Sequence, residues 1–457
     1  MEAKIENPQL RALDIKNQIL ELTKDYYQLQ FNQKKDFREG DRVNYAGRFF
    51  GEEEMTNLVD SSLEFWLTSG RYTDAFEEKL AKEIGLPFAL FVNSGSSANL
   101  LAFMTLTSPL LKDRRVKRGD EVITVAAGFP TTVAPIVQYG AVPVFVDVSL
   151  PSYNIDCSQL EEALSPKTRA VMVAHTLGNP FDVKKIKDFC TKHNLFLIED
   201  NCDALGSEYC LDGQWKRTGS FGDIGTSSFY PPHHLTTGEG GAVYTKSSLL
   251  KRAALSIRDW GRDCYCPSGK DNTCGKRFDF QLGDLPKGYD HKYIYSHFGY
   301  NLKASDMQAA IGVAQLDRLS LFTKRRRENW NYLYEGVKDL EEWFILPRET
   351  EQAKASWFGF PLTLKKSKQA HFTRKNIVQH LEAKNIQTRM LFGGNILKHP
   401  CFVDLKKSDP DSFRVVGDLK ITDTIMEDTF WLGVYPGLES KQLDFVIEEI
   451  RRFTLSH

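Results

Sequence analysis

Six short apolar runs constrain this chain more than any other feature: Ala89–Val92, Glu121–Val125, Val142–Val146, Ala170–Ala174, Leu195–Ile198 and Gly241–Tyr244. Runs of that length separated by helix-length connections fit strands buried on both faces, so an α/β fold with a mainly parallel, helix-covered sheet is expected. In open sheets of this kind ligands bind beyond the carboxyl ends of the strands, and the chemistry should follow the runs. The 457 residues exceed one ordinary core, which implies a large domain, a smaller one and a cleft between them. Helical spacing from residue 8 to about 35, then an extended stretch around Val43-Asn-Tyr-Ala, marks residues 1–53 as an N-terminal extension. The large domain is placed at 54–320. It includes a polar insert at 261–287, too long for an ordinary connection. Residues 321–457 read as a smaller α+β domain, entered through a helix from Ser305 to about Lys338. It continues with strand-like Trp357–Leu364 and helical Lys375–Lys384.

Charge narrows the partners. With 59 basic and 60 acidic side chains, no general field favours nucleic acid or an anionic membrane, and a small molecule is the expected ligand. The opening Met1-Glu-Ala-Lys-Ile-Glu6 lacks the apolar core of a signal peptide, and no apolar run of about 18 residues occurs, so a cytoplasmic location is expected. Eight cysteines are too few for a disulfide scaffold in a chain this long, and a close group of them is worth reading as a metal site.

The first run leads into Asn93-Ser-Gly-Ser-Ser-Ala-Asn99 and a helical stretch, where small residues let backbone amides converge on a phosphate at a helix N-terminus. An ordinary capped helix start would look similar. The second run ends at Ala126-Ala-Gly-Phe-Pro-Thr-Thr132, where Phe129 offers either a stacking face for an aromatic ring or a core contact. Phe196-Leu-Ile-Glu-Asp200 brings a carboxylate to a buried strand end; a protonated pyridine nitrogen would pair with it, and a helix cap is the rival role. His175 reads as a packed cleft residue. Then comes Thr226-Ser-Ser-Phe-Tyr-Pro-Pro-His-His-Leu-Thr-Thr-Gly-Glu-Gly-Gly241. In this order the segments resemble the sugar aminotransferase (DegT/DnrJ/EryC-type) family of B6 enzymes, over about residues 55 to 450. The resemblance implies the aspartate aminotransferase-like fold type I of pyridoxal phosphate enzymes. It also implies phosphate-site roles for Ser96, Ser97 and Ser228, stacking by Phe129, pyridine pairing by Asp200 and a place beside the ring oxygen for Asp203. Asn301 would reach a neighbouring subunit's phosphate, implying a homodimer, and Arg389 would clamp a nucleotide phosphate unless it forms a surface salt bridge.

One position departs from the transaminating members. Where they carry the coenzyme-binding lysine stands His233, and no lysine lies between Lys216 and Lys246. Without that amine no covalent tether forms, so the coenzyme is expected as pyridoxamine 5'-phosphate, held by non-covalent contacts. The site resembles that of the 3-dehydrases of deoxysugar synthesis, which remove the C3 hydroxyl of nucleotide-linked 4-keto-6-deoxy sugars. His233 would be the base, with His234 the alternative. A transaminase and a non-catalytic regulator are the other readings.

The resemblance points to two kinds of 3-dehydrase: a metal-free enzyme of a GDP-linked sugar, and an iron–sulfur enzyme of CDP-4-keto-6-deoxyglucose serving 3,6-dideoxy sugars of lipopolysaccharide. Cys264, Cys266 and Cys274 supply three thiols, and Cys202, at most about 7 Å along an extended chain from Asp200, is the expected fourth ligand of a [2Fe–2S] cluster, with Cys210 its rival. Zinc is a competing guest. A cluster would imply an NAD(P)H-dependent flavin iron–sulfur reductase as electron donor.

Overall fold

The structure, a computed structural model, describes residues 7–33 and 36–457. The opening Met1–Glu6 and residues 34 and 35, at the end of the expected first helix, lie outside the described residues. Helix α1 spans Pro8–Gln30.

The central sheet has eight strands. In chain order β1 is Phe88–Val92, β2 Glu121–Val125, β3 Val142–Val146, β4 Thr168–Ala174, β5 Phe196–Asp200, β6 Ile224–Ser228 and β7 Gly241–Thr245. A small sheet follows with β8 (Phe344–Ile345), β9 (Gly359–Leu364), β10 (Thr388–Arg389) and β12 (Thr429–Gly433), while β11 (Arg414–Val415) returns to the central sheet. The orders are β1-β7-β6-β5-β4-β2-β3-β11 and β8-β9-β12-β10. Only β7 runs against its neighbours in the central sheet, so the expected mainly parallel α/β arrangement is what forms.

Alternation explains why both faces are covered. Ile123, Val125, Val171 and Val173 point into one apolar cluster, and Val122, Ala170 and Met172 into another on the opposite face. A further core gathers Trp330, Trp357, Phe360, Phe430 and Ile450 around the small sheet.

Two elements differ from the sequence reading. Strand β6 has no apolar run, because Ile-Gly-Thr-Ser-Ser is a buried strand that satisfies its hydroxyls internally. Thr226 Oγ1 donates to Asn99 Oδ1 (2.7 Å) and Ser227 Oγ lies 3.1 Å from the Tyr244 hydroxyl. The expected helix from Ser305 to Lys338 is two, Asp306–Asp317 and α9 (Leu319–Val337), parted at Arg318. The N-terminal segment enters the small sheet region: Val43 bridges Ile386, and Tyr45 packs edge-on against Trp431 at 5.5 Å.

Candidate active site

The carboxyl ends of β1, β2, β5 and β6 open onto a cavity of about 840 Å³, closed on its far side by the small sheet. Ser94, Gly95 and Ser96 line it at the N-terminus of α4 (Gly95–Thr105); Ser94 caps that helix by accepting from the Ser97 amide at 3.0 Å. A helix start with free amides and small hydroxyls suits an oxyanion. Ser228 faces the same point. A Cβ at Gly95 would fall 2.3 Å from the Ser228 Cβ, so only glycine lets the helix start approach β6 this closely.

Asp200, 4 % exposed, lines the cavity at the end of β5. One oxygen accepts from Asn99 Nδ2 and from the Thr132 hydroxyl, both at 2.7 Å, and the other accepts from the Cys202 amide at 3.2 Å. All its partners are neutral. Among the described residues no cationic side chain lies within ion-pair distance, so the carboxylate suits a cation supplied by a ligand. Phe129 precedes helix Pro130–Tyr139, lines the cavity and is 52 % exposed, leaving its ring face open to stack. These groups fit a pyridoxamine phosphate: small hydroxyls for phosphate, a carboxylate for the ring nitrogen, a phenyl for the ring face.

His233 sits in the turn after β6. Its Nε2 is 3.4 Å from Asp203 Oδ1, its Nδ1 is 3.3 Å from the Tyr230 carbonyl, and its ring lies over Phe358 at 5.2 Å and 30°. Burial raises the Asp203 carboxyl above the usual carboxylate range, against the pull of the His233 ring. Asp203 therefore faces the imidazole as well as the cavity.

Its neighbour points elsewhere. His234 is buried, with Nε2 2.6 Å from the Ser356 carbonyl, and does not line the cavity. Burial, helped by the Arg326 charge, holds its pKa well below the usual value for histidine. The unfolded chain therefore takes up this proton first as pH falls, and His234 costs stability progressively below about pH 6.5. Thermal midpoints of His234→Gln and the unchanged protein should converge between pH 7 and pH 5, with the variant losing less; parallel curves would refute this.

The other expected residues divide. Ser97 bonds back to Ser94 rather than lining the cavity. Asn301 is exposed, pairs with Asp259 and is not part of its own chain's cavity. Arg389 lines the cavity, has no ion pair among the described residues and lies over the Tyr45 ring at 3.8 Å. His175 is fully buried; the Phe181 amide donates to its Nδ1, so its Nε2–H donates to Glu199 at 3.0 Å. Tyr45, Asn99, Thr132, Phe358 and Trp431 also serve the cavity. Of these, Asn99 and Thr132 stood inside segments that the sequence singled out for the site, while Tyr45 and Phe358 stood in stretches read only as extended structure.

The four-thiol set expected for a [2Fe–2S] cluster is not assembled. Cys264, Cys266 and Cys274 line one narrow pocket, with the Thr273 and Lys276 amides each 3.4 Å from a sulfur. Cys202, held by the backbone turn after Asp200, lines the coenzyme cavity instead, and Cys210 lies on a hairpin strand opposite Trp215. Among the described residues no three His, Cys, Asp or Glu side chains are gathered so as to hold a metal ion. Nor is any helix among them long and apolar enough to cross a membrane.

The model of the DegT/DnrJ/EryC1/StrS aminotransferase family matches residues 50–451. The lipopolysaccharide biosynthesis protein RfbH of Salmonella typhimurium strain LT2 is 51 % identical over 444 residues, covering 97 % of this chain and 99 % of that protein. A dTDP-4-dehydro-2,6-dideoxy-D-glucose 3-dehydratase of Saccharopolyspora spinosa is 48 % identical, covering 96 % of this chain and 92 % of its own. A solved E. coli GDP-4-keto-6-deoxy-D-mannose 3-dehydratase with bound hydrated pyridoxal phosphate superimposes with a TM-score of 0.78 at 29 % identity, over 90 % of this chain and all of that one.

Proposed function

This chain belongs to the DegT/DnrJ/EryC1/StrS aminotransferase family, and within it we propose a pyridoxamine phosphate-dependent 3-dehydratase of a nucleotide-linked 4-keto-6-deoxy sugar. One observation carries the reading: the cavity that fits the coenzyme is lined by His233 and, among the described residues, by no lysine. When bound, the coenzyme supplies an amine for the sugar ketone and an electron-accepting ring. Ser94, Ser96 and Ser228 bind its phosphate, Phe129 covers the ring, and Asp200 keeps the pyridine nitrogen protonated. His233 would serve as the base for a proton on the methylene carbon beside that ring and would return a proton to the C3 hydroxyl as it leaves as water. Asp203 faces Nε2 and stabilises the ring while it holds that proton. Arg389 and Tyr45 form the outer wall, where the nucleotide diphosphate enters. The 3-dehydratases among its relatives support this assignment.

Exposed aromatics near Asn301 support a homodimer: Tyr293, Tyr295, Tyr300 and Phe298, the last 99 % exposed, form an apolar surface typical of an interface.

The nucleotide and the fate of the product separate two versions. The metal-free version with a GDP-linked sugar has the solved E. coli structure as its analogue. The other version, an iron–sulfur centre with CDP-4-keto-6-deoxyglucose as substrate and an NAD(P)H-dependent reductase as electron donor, rests on three thiols alone, those of Cys264, Cys266 and Cys274 in one pocket, since Cys202 lines the other cavity.

Purified protein loaded with coenzyme and mixed with CDP- or GDP-linked 4-keto-6-deoxy sugar should exchange a solvent proton and lose the C3 hydroxyl with one of them. A dTDP-linked 4-keto-2,6-dideoxy sugar, the kind named for the Saccharopolyspora relative, is the third arm, and exchange with none of the three would refute the function. Iron analysis after anaerobic purification decides the version: iron that is lost in Cys264→Ser with the fold retained supports the cluster, and an iron-free active protein supports the metal-free enzyme.

A further inference from the structure

We propose that Arg326 is the positioning residue for the His233 imidazole, an inference that rests on the reading of His233 as the base. Arg326 lies on α9, far from the cavity in sequence, and is 1 % exposed. Its Nη2 donates to the carbonyls of Pro232 (3.2 Å) and His233 (3.0 Å); its Nη1 donates to those of Trp357 (3.3 Å) and Phe358 (3.5 Å). One guanidinium therefore holds two segments together. The first is the turn that carries the imidazole, and the second carries Phe358, the platform under its ring. Because the donors sit in a rigid planar fork, the angle between these segments is fixed along with the distance.

The charge pattern sharpens the argument. Among the described residues Arg326 has no carboxylate at ion-pair distance, although a buried cation without such a partner is costly to keep. Four backbone carbonyls take that place. The acidic group that acts on it from farther off is Asp203, which faces His233 Nε2. Arg326 thus touches the base's backbone, the base's platform, and electrostatically the base's acidic neighbour. Packing alone would be served by an apolar residue of similar volume.

Two variants test this in the coenzyme-loaded protein. Arg326→Lys keeps the charge and loses the fork; Arg326→Gln keeps two hydrogen-bond donors and loses the charge. Misplacing a base by about 1 Å costs on the order of 100-fold in rate. In Arg326→Lys, kcat should therefore fall about 100-fold, with the sugar KM and the coenzyme affinity changed less than about threefold. Amide hydrogen exchange over residues 229–236 should rise about tenfold, with distant peptides unaffected. Unchanged exchange at that turn would overturn the proposal. So would equal loosening throughout the chain in both variants, which marks a packing role. If the unchanged protein turns over no sugar, the functional reading fails, and the exchange pattern still decides whether Arg326 fixes the turn.

Discussion

His233→Asn should lower dehydration by about 10³-fold, within the 10²–10⁴ range that a positioned general base contributes, while the coenzyme stays bound. The expectation follows from where the ring sits. Its Nε2 faces the cavity and Asp203, its Nδ1 faces the Tyr230 carbonyl, and none of the groups assigned to the phosphate, ring face or pyridine nitrogen touches it. Asparagine keeps much of the volume and polarity but cannot accept a proton at neutral pH. Stopped-flow absorbance of the coenzyme with the sugar present, alongside equilibrium dialysis of the coenzyme, separates the two effects. Full activity in the variant would remove His233 from the reaction. His233→Lys offers the converse: borohydride should fix pyridoxal phosphate to that variant and fail to fix it to the unchanged chain.

Asp200→Asn is expected to weaken coenzyme binding by about two to three and a half orders of magnitude. Removing one partner of a buried charge pair costs about 3–5 kcal/mol, and each 1.4 kcal/mol is tenfold in affinity. The carboxylate is buried at the end of β5 and held by Asn99 and Thr132, which orient it without neutralising it. An amide there keeps the shape and leaves the pyridinium without its counter-charge. Titration of coenzyme into stripped protein, followed by fluorescence, measures the loss. An affinity within about threefold of the original would mean that Asp200 serves the fold and not the ring nitrogen.

Much of the fold was legible because six of the seven longer central strands carry short apolar runs bounded by polar turns. Strand β6 was illegible for the opposite reason. Its Thr-Ser-Ser is stabilised by partners from α4 and β7 that only the folded chain brings near. The cavity-facing residues that follow strand ends, Phe129, Asp200 and His233, could be found by position along the chain. Register against the lysine of the transaminating members favoured His233 over His234, and the structure lines the cavity with His233 while His234 is buried against the Ser356 carbonyl. Tyr45, Phe358 and Trp431 come from the N-terminal segment and the small sheet, so no local pattern marks them. Cysteine spacing likewise gave proximity in sequence for Cys202 and Asp200, but the turn after β5 sends that sulfur into the coenzyme cavity and away from the other three.

A cavity wall whose described residues include no lysine has a consequence for how this protein behaves outside the assay. Under the proposed function its vitamin is a dissociable ligand, so its resistance to heat should depend on how much of that ligand is dissolved around it. A hundredfold excess over the dissociation constant adds about 2.7 kcal/mol. Dilution or gel filtration draws that margin down, whereas a relative with a covalent bond keeps its own through every wash.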